Sequence, residues 1–160
     1  MKISVQAAAE IIERTNRFVE LVRQTPSFPR DKDSGYCVVK ALEGRTLLAF
    51  QVGEVLAEKV EKYLRLANEK ADRLATRTGL GHKTSWQSRD GLEKWGGAIL
   101  ANDLVLSFSG LPELADEAVM LWTAMHCGLL LYAPAVEIAK ISDNKIFDAI
   151  GTVMEQRTRS

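Results

Sequence analysis

Apolar residues near the start of the chain recur at steps of three and four. Ala8, Ile11, Ile12, Phe18, Val19 and Val22, with Thr15 in the same row, follow the period of one helix face. Ser4 stands where an N-cap belongs, and Pro26 and Pro29 close the segment before an exposed loop, SFPRDKDSG. The period then changes. YCVVKAL and TLLAFQV are β-rich runs joined by Glu43-Gly44-Arg45, where Gly44 supplies the positive φ that a short hairpin turn needs. From Glu54 to Thr76 the helical period returns. Leu56, Val60, Tyr63, Leu64, Ala67, Ala71, Leu74 and Ala75 form one stripe. Glu58/Lys62, Glu61/Arg65 and Glu69/Arg73 form i,i+4 pairs opposite it, where a solvated face accounts for them.

Residues 76–97 are irregular and polar, with a short helix predicted from Ser88 to Lys94. A second hairpin follows, with strands Ala98 to Ala101 and Leu104 to Ser109 about an Asn102-Asp103 turn. Leu104, Leu106 and Phe108 alternate with Val105, Ser107 and Ser109, the pattern of a half-covered strand. Pro112 suits the first position of a helix whose N-terminal dipole Glu113, Asp116 and Glu117 complement. That helix is predicted to run through the uncharged stretch 118–136 and to break near Pro134. Ser142 is predicted to cap a last helix with Ile146, Phe147, Ile150, Val153 and Met154 inside. Two hairpins sharing one antiparallel sheet, with helices covering it, make an α+β domain of the profilin or PAS-like kind. The whole chain, 1–160, reads as one domain with a C-terminal helical extension over about 134–160.

At 160 residues and 46% apolar content, the chain is long enough to bury a core without metal or disulfides. Lys plus Arg equals Asp plus Glu at 21 each, so no net field attracts nucleic acid or anionic lipid. Cys37 and Cys127 form no CxxC or zinc spacing and read as reduced, buried thiols of a cytoplasmic protein. The uncharged stretch reaches the length of a short membrane span, but His126, Gly128 and Pro134 interrupt it, so a buried helix is expected and no membrane role. The N-terminus, with Glu10 and Glu13, lacks the apolar core of a signal peptide.

No GxSxG, HExxH or GxxxxGK[ST] motif is present, and no catalytic residue is assigned. His126, among Met125, Cys127 and Leu129, reads as a core imidazole. His82, beside Lys83 and Trp86 in the polar loop, is either an axial metal ligand or general base, or an exposed histidine. Trp86 and Trp95 either wall a flat ligand or pin the loop to the sheet. Gly96-Gly97 permits close backbone approach at the entry to a strand, and Ser109-Gly110 a sharp turn at the exit of the next.

The stretch GGAI…NDLVLSFSGLPELADEA resembles the haem-degrading-domain family, which includes GlcG-type and HbpS-type proteins. Gly96-Gly97, Ile99, Ser109-Gly110 and Asp116 occupy the places of that family's pattern, although Ala98 stands where a proline is customary. ANEKADRLATRTG is similar to its Lys-Ala helix segment, which places Lys70 and Ala71 there. The resemblance implies a small-ligand-binding module with haem or another tetrapyrrole as ligand, and no defined reaction. The ligand-binding set it implies is Lys70 on a propionate, Trp86 or Trp95 stacking, and His82 on iron, with Gly96, Gly97, Ser109 and Gly110 framing the site. The alternative is a non-catalytic structural or regulatory homo-oligomer with the apolar 118–136 helix as interface.

Overall fold

The serine at position 4 opens the first helix as its spacing predicts. Its hydroxyl accepts the Ala7 N–H at 3.0 Å, and α1 (Val5–Val22) follows with Ile11, Phe18, Val19 and Val22 buried. The computed structural model describes residues 2–159. β1 (Gly35–Ala41) and β2 (Thr46–Val52) turn at Gly44, φ 99°, and β3 (Ala98–Ala101) and β4 (Leu104–Ser109) turn at Asn102, φ 57°. The hairpins join through β1 and β4 into one antiparallel sheet of order β2-β1-β4-β3. In that register Tyr36 faces Ser109, so the chain enters β1 where it leaves β4.

Helices cover both faces, which makes this an α+β fold. α2 (Ala57–Ala75) packs Ala71, Leu74 and Ala75 on Ala98 and Val105. The opposite face, with Cys37, Val39, Leu106 and Phe108, packs on α1, α3 (Glu113–His126) and α5 (Lys145–Arg159). β4 is therefore not half-covered: all its residues are buried. Its polar side faces α2, where the Ser107 hydroxyl donates to the Ala67 carbonyl at 2.8 Å.

The second half of the chain departs from several predictions. The uncharged run is two helices. α3 ends at His126, Gly128 takes φ 71°, and α4 (Tyr132–Ile141) begins after Leu131. Pro134 sits in the first turn of α4, where its missing N–H costs nothing, so it starts a helix instead of ending one. Ser142 ends α4, and Asn144 caps α5 by accepting the Phe147 N–H at 3.1 Å. α5 lays Phe147, Ile150 and Val153 into the same core as α1 and β4. α2 begins at Ala57, leaving Leu56 exposed, and the short helical turn lies at Ser85–Ser88, ahead of its predicted place. Cys37 is a buried free thiol, whereas Cys127 is only half-buried. No helix among the described residues is long and apolar enough to cross a membrane.

Candidate functional site

The end of the sheet where β4 passes into α3 is built on crowded backbone. Gly110, at φ 143°, runs against Ser34 and Gly35 at the start of β1, and Gly97, at φ 125°, runs against Phe108. Beside this crossing lies a cavity of about 260 Å³ between α2 and the first turn of α3. Tyr63, Leu66 and Lys70 line it from α2, with Lys62 at the edge. Ser109 and Gly110 form its floor, Pro112, Glu113 and Asp116 the α3 side, and Trp95 and Lys32 the flanks.

Lys70 is 1% exposed. Its ammonium has three N–H donors, and all are used. It donates to Gly96 O at 3.1 Å, to Phe108 O, and to Asp116 Oδ2 at 3.2 Å. Asp116 Oδ1 in turn accepts the Leu111 N–H at 3.0 Å. Burial pushes the Asp116 carboxyl up to about 7, against the opposing pull of the Lys70 charge and the Leu111 amide. This pair ties α2 to the segment entering β3, to β4 and to α3. Gly97 is required beneath it, because a Cβ there would lie 2.6 Å from Lys70 Nζ and 2.8 Å from Asp116 Cβ.

The loop before β3 is held by a second buried cation. Arg73 is 6% exposed, so the Glu69/Arg73 pair does not belong to a solvated face. Its guanidinium donates to Ser85 O at 2.8 Å, Ser88 O at 2.7 Å and Trp95 O at 2.7 Å, and pairs with Glu69 at 3.0 Å. Arg65 reaches Glu93 at 2.9 Å, and no ion pair joins Glu58 with Lys62 among the described residues. Arg73→Ala orphans these carbonyls and should cost about 2–3 kcal/mol, read as a lower denaturant midpoint with 85–95 the first segment to lose hydrogen-exchange protection. Unchanged protection there would contradict the role.

The structure brings Lys70, Trp95, Ser109 and Gly110 to one cavity, with Gly96 and Gly97 framing Lys70 below it. Trp86 does not line the cavity; it is half-buried with its ring against Gly96, where an added Cβ would lie 3.1 Å from it, and the Arg89 guanidinium 3.2 Å above. His82 is elsewhere. The adjacent Lys83 carbonyl accepts the Leu100 N–H at 2.9 Å, which puts His82 at the far end of β3. From Gly96 to Leu100 the strand spans roughly 13 Å, at ~3.3 Å per residue. No cluster of His, Cys, Asp and Glu suited to a metal occurs among the described residues.

Sequence reasoning missed the roles of Asp116 and Glu113, which it took as complements to a helix dipole. Glu113 instead accepts the Gly96 N–H at 2.9 Å and pairs with Arg89 at 2.7 Å. Glu117, given the same dipole role, is instead buried and hydrogen-bonded by Thr84, Ser142 and Asn144. Burial pushes the Glu117 carboxyl up, and those three donors pull it back. Asp116 alone had left a signal, as one of the positions carrying the family resemblance.

No family model matches the chain, and no curated protein does. Among solved structures, the crystal structure of the PduOC:heme complex is similar, with a TM-score of 0.52 at 14% identity. The similarity covers 79% of this chain and 95% of that one, and at this identity it is a likeness of fold.

Proposed function

We propose that this chain is a small-ligand-binding module of the GlcG/HbpS-like type, with haem or another tetrapyrrole as its ligand and no reaction defined by its residues. The observation that carries the reading is the cavity itself. It opens beside the Trp95 ring, which is 47% exposed, in a fold similar to that of a protein solved as a haem complex. At about 260 Å³ it falls below the roughly 300–1,000 Å³ of pockets that enclose whole drug-sized ligands, so a macrocycle would enter by one edge.

The residues suit the propionate edge. Lys32 and Lys62 stand at the cavity without an ion-pair partner among the described residues, while Lys70 has no N–H left to give. The propionate role therefore moves from Lys70 to Lys62 and Lys32. The residues do not suit the iron: no His, Cys or Met lines the cavity, and His82 lies at the other end of β3. Haemin titration, followed at the Soret band, tests the reading. A saturable, sharpened band is expected, its binding weakened about two- to thirteenfold by Trp95→Ala, from the ~0.5–1.5 kcal/mol that an aromatic pair adds beyond area. A response like that of a non-binding control would remove it.

A non-catalytic homo-oligomer is the second reading. Its proposed interface is reduced, since residues 118–121 of α3 are buried within the chain and the exposed apolar side chains of the stretch are Leu131 and Tyr132. A mass that rises with concentration, and falls back in Leu131→Lys, supports it; a concentration-independent monomer ends it.

A further inference from the structure

We infer that the cavity contains a carboxylate-recognition subsite, formed by the Ser109 hydroxyl, the first amide of α3 and the ammonium groups of Lys62 and Lys32, and that this subsite, not an iron ligand, decides what binds. The inference rests on the cavity being the ligand site.

Ser109 is the first observation. It is 4% exposed, lines the cavity, and its hydroxyl has no hydrogen-bond partner among the described residues. It shares the α2-facing side of β4 with Ser107, whose hydroxyl is satisfied by Ala67 O. A hydroxyl that lines a cavity and has no protein partner is available to whatever fills it. The second is the start of α3. Pro112 offers no side-chain cap, and the Glu113 N–H has no partner among the described residues at the positive end of a 14-residue helix.

The third is the charge balance. Glu113 pairs with Arg89 and Asp116 with Lys70, so each carboxylate at the cavity has a cation beside it, although the Glu113 charge still acts on Asp116. Lys62 and Lys32 line the cavity with no carboxylate of the described residues within ion-pair distance, although the Glu93 carboxylate feels the Lys62 charge. Asp31 and Asp33 flank Lys32 and line the adjoining groove, and neither is within ion-pair distance of it. Leu66, Tyr63 and Trp95 then offer apolar surface to the rest of the ligand. The space, worth roughly nine waters at ~30 Å³ each, admits a single-ring acid or the propionate arm of a tetrapyrrole. The shared chemistry is a carboxylate on an apolar body.

Two arms separate these sources. In the first, benzoate and benzamide are titrated against the wild-type chain, followed by the amide shifts of Gly110, Leu111 and Glu113. In the second, protoporphyrin, its dimethyl ester and haemin are compared by fluorescence and absorbance. Benzoate is expected to bind at least about tenfold tighter than benzamide, the acid porphyrin at least about tenfold tighter than its ester, and haemin within about threefold of the iron-free porphyrin. Ser109→Ala and Lys62→Gln should each weaken acid binding about three- to tenfold without changing the thermal midpoint.

Benzoate binding without any porphyrin binding supports the subsite and ends the tetrapyrrole reading. Amide and ester binding as well as their acids overturns the subsite while leaving the cavity a ligand site. Haemin binding far tighter than the iron-free porphyrin, and lost in His82→Ala or His126→Ala, also overturns it. Binding of none of the probes ends both readings.

Discussion

Replacing Lys70 by alanine is expected to lower the unfolding free energy by about 3–5 kcal/mol, the usual cost of stranding one member of a buried ion pair. The lysine is 1% exposed and Asp116 3% exposed, so neither partner can be rescued by water without movement. The loss reaches beyond the pair, because Gly96 O and Phe108 O would also be orphaned. At ~2–4 °C per kcal/mol for a chain of this size, the thermal midpoint should fall by roughly 6–20 °C. Lys70→Met combined with Asp116→Leu should recover only the part of that loss due to the stranded carboxyl, because Gly96 O, Phe108 O and the Leu111 N–H stay without partners.

The same pair sets a pH dependence. Asp116 has its folded value raised above the ordinary ~3.9, to about 7, so the folded chain keeps a proton that the unfolded chain has released between those limits. Its contribution to stability is full below about pH 4 and is lost as pH rises through about 7, at no more than ~1.4 kcal/mol per pH unit. Denaturant titrations from pH 4 to 8 should show that decline in the wild type and a shallower one in Asp116→Asn, where the raised Glu117 carboxyl still acts in the same direction. Parallel curves would contradict the burial argument.

Gly110→Ala should cost more than about 4 kcal/mol, in the range reserved for backbone collisions and strained positions. At φ 143° an L side chain is already disfavoured, and the new Cβ would overlap Ser34 O and sit 2.6 Å from Gly35 Cα. Nothing flexible lies in its way, since both obstacles are main chain. The expected outcome is insoluble or molten protein by near-ultraviolet circular dichroism. Gly44→Ala, with nothing within 4 Å of its Cβ, should fold with a small loss from its φ of 99° alone. Equal stability of the two variants would show that the crossing is not rigid.

Local elements were legible because their signals are local. Ser4, Gly44 and the alternation of β4 each act within a few residues, and they placed α1, both hairpins and the shared sheet. The misplaced boundaries have the same origin. Pro134 and Ser142 fit a helix start and a helix end alike, and only the fold decides between them. The site was legible in part. Gly96, Gly97, Ser109 and Gly110 marked the crossing through their own backbone needs, yet the partners of Lys70 lie 26 to 46 residues away. Arg73 read as a surface charge because its carbonyl acceptors carry no residue identity. Ser109 read as turn-forming because an unpartnered hydroxyl is visible only once its surroundings are.

A ligand of this protein should enter the cavity between α2, β4 and α3, and mapping amide and indole shifts during titration with iron-free protoporphyrin shows whether it does. Shifts gathered at Gly110, Leu111, Glu113 and the Trp95 indole are predicted. Shifts gathered instead around His82 and Leu100, or spread evenly over the surface, would contradict it.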